Sequence, residues 1–221
     1  MLVDHFPLVG LRLRTPRLEL RLPSPEELGA LAGVAAEGIH PSGTMPFAVP
    51  WTDRPPAEVA RGVVQHHWQM LAEWTPESWE LDLTVFHAGE VAGQQTLRGR
   101  DLAVLRQVET GSWLGRRHQG QGIGTEMRAA VLHLAFSGLG ADEALSSAFD
   151  TSHASQAVSR KLGYRANGID RRVVRGELRI DHRMRLTRED WERHRTIPVT
   201  VEGLAPCLPM FGLPGSGAED A

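Results

Sequence analysis

Apolar and polar residues follow two distinct periods along the chain. Leu11 to Leu22 reads LRLRTPRLELRL, an alternation of apolar and charged residues interrupted at Thr15-Pro16. A period of two turns one strand face toward a core, and a proline breaks the ladder. The stretch therefore predicts two short strands, or one strand with a bulge. Ser24-Pro25-Glu26-Glu27 supplies an N-cap, a proline at the first helical position and acids in the first turn, which predicts a helix over 25–37. His40 to Pro56 holds five prolines and reads as a long loop. From Pro56 to Glu73 the spacing turns helical, with Val59, Val63, Trp68 and Leu71 on the expected packed side.

Further along, Trp79–Phe86 and Val91–Leu97 flank His87-Ala88-Gly89-Glu90, a hairpin pattern. Gln107–Leu114 is another strand candidate. Gly122 to Leu139 gives the clearest helix, with Ile123, Met127, Ala130, Val131, Leu134 and Gly138 on one face. A short strand over 144–149 and a helix over 152–162, closed by Gly163, follow. Strands are expected over 171–174 and 178–186. The order β-α-α-β-β-β-α-β-α-β-β describes a mixed sheet with helices packed on it, an α/β or α+β single domain.

Composition narrows the function classes. The 221 residues suit one domain with appendages, and a chain that is 41% hydrophobic and 23% charged is neither disordered nor collagen-like. A net charge of −3 offers no global basic field, so no nucleic-acid partner is expected. No stretch is long and apolar enough for a bilayer, and the first ten residues lack the basic-then-apolar pattern of a secretory signal. With Cys207 as the single cysteine, no internal disulfide forms, which fits a reducing, cytoplasmic setting. His87 and the scattered histidines show no metal-ligand spacing, so no metal is expected.

The most informative stretch is Trp113-Leu114-Gly115-Arg116-Arg117-His118-Gln119-Gly120-Gln121-Gly122-Ile123-Gly124-Thr125. A strand runs into a glycine-rich loop that opens a long helix. Alternating glycines bare the backbone N–H groups, and a helix N-terminus adds partial positive charge, so the loop suits a phosphate or pyrophosphate. A P-loop would end in Lys-Ser/Thr, which is absent. A dinucleotide fingerprint would need a third glycine where Thr125 stands. A bare turn needs only one glycine.

These residues resemble the GCN5-related N-acetyltransferase family. Gln119, Gly122 and Gly124 match its Gln/Arg-x-x-Gly-x-Gly/Ala loop. Ser152-His153-Ala154-Ser155 through Lys161-Leu162-Gly163-Tyr164 is similar to the Asn-x-x-Ser…Lys-Leu-Gly-Phe segment of the branch that acetylates ribosomal-protein N-termini. Thr15-Pro16-Arg17-Leu18-Glu19-Leu20 and Glu109-Thr110-Gly111-Ser112-Trp113-Leu114 resemble strands of that branch. Met45-Pro46-Phe47, Pro50-Trp51 and Val158-Ser159-Arg160-Lys161 look like an actinobacterial subgroup that includes a described succinyltransferase. The resemblance covers about residues 11–190. It implies an acyl-CoA N-acyltransferase fold, a mostly antiparallel twisted sheet flanked by helices. It further implies acetyl-CoA or succinyl-CoA as donor and a primary amine as acceptor, on a protein N-terminus, a lysine or a small molecule. The catalytic domain would span 1–195, with an extension over 196–221.

The resemblance also implies site roles. Main-chain groups of Trp113, Leu114 and Gly115 would pair with the pantetheine arm. Gln119, Gly120, Gln121, Gly122, Ile123, Gly124 and Thr125 would hold the pyrophosphate. Ser152 stands where the family has Asn, and Ser159 where many members have a Tyr acid. Spaced three and four apart, Ser152, Ser155 and Ser159 make one hydroxyl stripe, with Ser155 near the cofactor and Ser159 near the departing thiolate. An N-cap with two solvated serines would look the same. Glu109 is the best base candidate, although a strand-edge surface charge would share its pattern. Phe47 and Trp51 would wall the acceptor pocket, with His66 and His67 beside it, although a helix surface with one half-buried histidine would share their pattern. A succinyl carboxylate would need a cation, from Arg98, Arg106, His66 or His67. Tyr164 reads as core. The substituted Asn and Tyr positions leave a non-catalytic acyl-CoA-binding module as the alternative, which a plugged channel at Glu109 would favour. Thr196–Glu202 alternates like an edge strand and Pro206–Leu213 is apolar, which suggests a homo-oligomer contact or a tail that packs back. Residues 212–221 are expected to fray.

Overall fold

The computed structural model describes residues 1–215. In chain order these form α1 (Leu2–His5), β1 (Arg12–Arg14), β2 (Leu18–Arg21), α2 (Pro25–Ala36), α3 (Pro56–Ala72), β3 (Ser78–His87), β4 (Glu90–Arg100) and α4 (Leu102–Leu105). There follow β5 (Gln107–Leu114), α5 (Ile123–His133), β6 (Glu143–Phe149), α6 (His153–Lys161), β7 (Arg165–Val174), β8 (Glu177–Thr187), α7 (Arg188–His194) and β9 (Thr200–Glu202). The strands make one sheet in the order β7-β8-β6-β5-β4-β3-β2-β1-β9. Every neighbouring pair is antiparallel except β5–β6.

Local chemistry explains most boundaries. Thr15-Pro16 splits the alternating run into β1 and β2, which pair with each other. Ser24 caps α2 reciprocally. Its hydroxyl accepts from the Glu27 amide at 3.3 Å, and the Glu27 carboxylate accepts from the Ser24 amide at 2.7 Å. The long helix begins at Ile123 and runs on through a π-turn over Leu134–Gly138.

Three expectations change. Trp68 does not face the core: it is 61% exposed, and His67 is buried beneath α3 with Val59 and Val63. Those three positions recur every four residues, whereas Trp68 lies about 100° round the helix. β7 starts at Arg165 rather than 171, with a register shift between Ala166 and Ile169. α7 is an added helix, capped by Thr187 accepting from the Asp190 amide at 3.1 Å.

Two apolar layers sandwich the sheet. The larger places Ile123, Met127 and Val131 of α5 against Leu81, Leu83 and Leu97. The smaller packs α2 and α3 on the opposite face through Leu31, Val34, Val59 and Val63. The segment after Arg195 is part of this body. β9 pairs with β1, and Cys207 and Phe211 are fully buried in the larger layer. Phe211 meets the Trp74 and Trp79 rings edge-on, and the Trp74 indole donates to the Met210 carbonyl at 2.8 Å. The stretch thus packs back on its own domain, the second of the two readings its pattern allows. Burial also pushes the Cys207 thiol up to about 11. Among the described residues no helix is long and apolar enough to cross a membrane. Of the stretch expected to fray, 216–221 lie outside the described residues.

Phe211→Ala empties a fully buried aromatic site and is expected to cost about 3–5 kcal/mol. The readout is a lower urea midpoint at unchanged slope. An unchanged midpoint would show that the segment adds nothing to the core.

Candidate functional site

β5 and β6 pair only over Gln107–Glu109 against Glu143–Leu145. Beyond that the strands part, and the edge of β5 from Gly111 to Leu114 faces an opening. Successive side chains of β5 point to opposite sides of the sheet. Glu109, Gly111 and Trp113 face the α2–α3 side. Val108, Thr110, Ser112 and Leu114 face α5. The expected pantetheine-pairing residues Trp113, Leu114 and Gly115 therefore lie at the open end. Gly93 lets β4 lie close against this end of β5, because a Cβ there would stand 2.2 Å from the Trp113 carbonyl oxygen and 2.8 Å from Leu114 Cα.

The loop between β5 and α5 presents donors rather than side chains. Gly120 and Gly122 both adopt positive φ, +74° and +79°, a region that favours glycine. Among the described residues, the amides of Gly120, Gln121, Gly122, Ile123 and Gly124 donate to no protein acceptor. Thr125 donates to the Gly122 carbonyl and begins the helix. Five free amides around a helix N-terminus form an anion cradle. The Gln119 side chain does not point into it. Its amide bridges the Ile39 and Leu114 carbonyls at 2.6 and 2.8 Å, which bolts the loop to the end of β5. Gln121 likewise donates to the Arg117 carbonyl.

A second bolt comes from residues with no role in the sequence analysis. Glu126, buried in the first turn of α5, accepts from the Thr15 hydroxyl at 2.6 Å and from the Arg17 amide at 3.0 Å. The Arg17 guanidinium lies on the same carboxylate at 2.6 Å and donates to the Gln121 carbonyl. Burial pushes the Glu126 carboxyl up, but the bonds from Thr15 and Arg17 outweigh it and hold it below the usual carboxylate range. The Thr15-Pro16-Arg17 turn thereby fixes the cradle.

The α2–α3 side carries a charged row. Glu80, Arg98 and Glu109 lie side by side on β3, β4 and β5, and Asp82, Thr96 and Gly111 form the next row. Arg98 binds Glu80 at 2.5 Å, and Thr96 donates to Asp82 at 2.5 Å. His66 on α3 stands above, its Nε2 3.3 Å from Glu80 and 3.2 Å from Asp82. Hydrogen bonds to Asp82 and Glu80 outweigh partial burial and push His66 up to about 10. It is therefore a cation at neutral pH. His67 is held below its usual value by burial. The polar atoms of His66, Glu80 and Asp82 come within 4.8 Å of one another, close enough for a metal. Arg98 and Thr96 already engage those carboxylates. A cavity of about 420 Å³, lined by Glu80, Arg98, Gln107, Glu109 and Leu145 among others, lies beside the paired stretch of β5 and β6.

The far end of the opening is roofed by the 40–56 loop. Met45 packs with Phe149 and Val174, and Phe47 lies against them. Phe47, Trp51 and Trp113 form a chain of rings 5.2 and 6.1 Å apart. Arg175 in the β7–β8 turn ion-pairs with Asp53, joining the loop to that hairpin.

The α5 side holds a different set. Tyr164 is buried, its hydroxyl 3.2 Å from Thr110 Oγ1. Ser159 is fully buried and donates to the Ser155 carbonyl at 3.1 Å. Ser152 precedes α6 without a side-chain capping bond, and Ser155 is half-buried. Arg128, on α5, donates to Ser159 at 2.8 Å and to Ser112 at 3.4 Å. Sequence reasoning missed Arg128, because it sits between Met127 and Ala129 with no motif to mark it.

Residues 17–165 match the model of the acetyltransferase (GNAT) domain family. Solved structures share the fold. RimJ from Mycobacterium smegmatis, in complex with CoA-disulfide, is 20% identical, with 83% of this chain and 90% of that chain covered at a TM-score of 0.62. RimL, a ribosomal L7/L12 alpha-N-protein acetyltransferase in complex with coenzyme A, is 17% identical, with 78% and 95% covered at 0.59. A GCN5-related N-acetyltransferase from Brucella melitensis is 18% identical, with 82% and 80% covered at 0.64.

Arg17→Ala leaves the buried Glu126 without its cation. The expected loss at pH 7 is about 2 kcal/mol, tempered because the Arg17 side chain is 44% exposed. Glu126 is held below its unfolded value, so the contribution is full above about pH 4.3. It is lost as pH falls through the lowered value, and thermal unfolding of both proteins against pH reads this. For His66 the sign reverses. Its pKa rises from 6.5 to about 10, so wild type should exceed His66→Gln in stability most at low pH. The gap should close as pH passes about 10.

Proposed function

The chain belongs to the GNAT acetyltransferase family, and we propose that it transfers an acetyl group from acetyl-CoA to a primary amine by direct attack. The observation that carries this reading is the set of five free amides beside the bare edge of β5. The cradle suits a pyrophosphate, and the edge offers main-chain groups to an extended arm and to the thioester carbonyl.

The two sides of the sheet divide the chemistry. The amine would enter by the cavity on the α2–α3 side that Glu80, Arg98 and Glu109 line, with the Phe47–Trp51 wall at the far end of the opening. Glu109 lines that cavity and is the proposed base. An N-terminal amine, with a pKa of about 8, needs less help than a lysine. The nitrogen adds to the thioester carbonyl carbon, its proton goes to Glu109, and the C–S bond breaks with its electron pair on sulfur. Ser159, on the opposite side, is the hydroxyl proposed to face the leaving sulfur, with Ser152 and Ser155 along the arm. The open cavity at Glu109 supports catalysis over a purely ligand-binding module.

Charge supports acetyl over succinyl. Three carboxylates, Glu80, Asp82 and Glu109, face two cations, His66 and Arg98. That balance attracts a protonated amine and repels a distal carboxylate. Two of the expected succinyl partners are already paired. Arg98 is held by Glu80, and His66 by Glu80 and Asp82. Burial disfavours a charged His67. The RimJ and RimL likeness supports a protein N-terminus as acceptor class.

Thermal stability should rise with acetyl-CoA and with free CoA and not with NAD. The rise is about 2.7 kcal/mol at a hundredfold excess over Kd. Glu109→Gln should keep that rise and lower the turnover of a peptide amine about 100-fold. No shift with any CoA compound would overturn the donor assignment, and a larger shift with succinyl-CoA would overturn the choice of acyl group.

A further inference from the structure

Arg128 is 4% exposed, and no carboxylate lies within ion-pair distance of it among the described residues. Its Nη1 donates to Ser159 and its Nη2 makes a long bond to Ser112, while its buried Nε has no partner. The ionisable group that acts on its charge is Tyr164. Burial pushes that phenol up, so it is neutral and no counter-ion. A guanidinium keeps its proton in proteins, so burying one without an anion is costly. The other well-placed arginines of this chain do have one: Arg21 meets Glu27, Arg98 meets Glu80, and Arg172 meets Asp181.

The place of this uncompensated cation is specific. Ser112 lies on the bare edge of β5, on the α5 side, and Ser159 projects from α6. Arg128 spans the two on the side of the sheet opposite Glu109. A site that keeps a buried cation and spare donors is built to receive negative charge that is not always there. On the reading that acyl-CoA lies along β5, the charge that develops on this side is that of the leaving sulfur.

We propose that Arg128 stabilises the departing CoA thiolate, acting through the Ser159 hydroxyl. The C–N bond forms as the C–S bond breaks, the electron pair rests on sulfur, and the proton from nitrogen leaves by Glu109. Ser159 turns its hydroxyl from the Ser155 carbonyl toward the sulfur, while Arg128 holds the Ser159 oxygen and supplies the field. Arg128 is thus a positioning residue.

The test is the titration of the bound thiol, followed by the ultraviolet absorbance of its thiolate, with desulfo-CoA as the sulfur-free control. In the wild type, the midpoint of bound CoA should fall below that of free CoA by about one pH unit or more, roughly tenfold in acidity. Arg128→Met should return the midpoint to that of free CoA and leave desulfo-CoA affinity unchanged. It should fold at least as well without ligand, since an apolar side chain replaces an unpaired buried charge. Arg128→Lys should retain part of the shift. If Arg128→Met fails to fold, Ser159→Ala must raise the midpoint in its place. An equal midpoint in wild type and free CoA, or one indifferent to both substitutions, overturns the proposal. So does a selective loss of succinyl-CoA affinity in Arg128→Met, which would make the anion a carboxylate. Failure of the wild type to bind desulfo-CoA overturns the donor reading itself.

Discussion

Two parallel strands that pair for three residues and then part are the constraint on which the rest of the site depends. A sheet interior normally satisfies both edges of every strand. Here β5 keeps β4 on one edge throughout and loses β6 on the other after Glu109 and Leu145. The gap must be held open against the tendency of strands to zip together. Helix α5 and its loop wedge the α5 side, and the Met45–Phe149–Val174 cluster props the far end. The residues that lock those props act at a distance. Thr15, Arg17 and Glu126 fasten the loop, Gln119 ties it to β5, and Asp53 and Arg175 join the 40–56 loop to the β7–β8 turn.

The strand alternation of β5 then sorts charge by side. One side gathers three carboxylates with two cations held among them. The other holds a lone guanidinium between two serines. A group passing through the gap meets a negative field on one side and a positive one on the other. That polarity matches a reaction in which a nitrogen sheds a proton on one side and a sulfur gains negative charge on the other.

Much of the fold was legible because its signals are local. The Ser24 capping box, the Pro16 break and the alternating runs each determine their elements within a few residues. The first half of β7 was not legible because almost all its side chains are exposed, so no apolar alternation marks Arg165–Asp170. α7 lacked an apolar stripe, although Thr187 three residues before Asp190 was a usable cap signal. Trp68 is large and apolar yet exposed, because it falls off the four-residue spacing that buries Val59, Val63 and His67. In the site, the glycine loop was legible because its chemistry lies in contiguous backbone. The His66–Glu80–Asp82 and Ser112–Arg128–Ser159 groups were not, since each joins elements far apart in sequence. The role of Gln119 was visible as a motif, but the carbonyls it bridges were not.

The way β9 closes the sheet has a consequence for how the protein is made. β1 lies near the start of the chain and its outer edge is covered by residues 200–202. The Trp74–Trp79 pair receives Phe211. During synthesis the β1 edge stays bare, and that aromatic slot stays empty, until these residues have emerged. The rest of the sheet can form earlier from nearer neighbours. The nascent chain thus passes through a stage with an open strand edge and a vacant apolar slot, features that promote aggregation. Pairing residues separated by most of the chain is also entropically slow. The closing step is therefore the one that a folding helper would most need to protect.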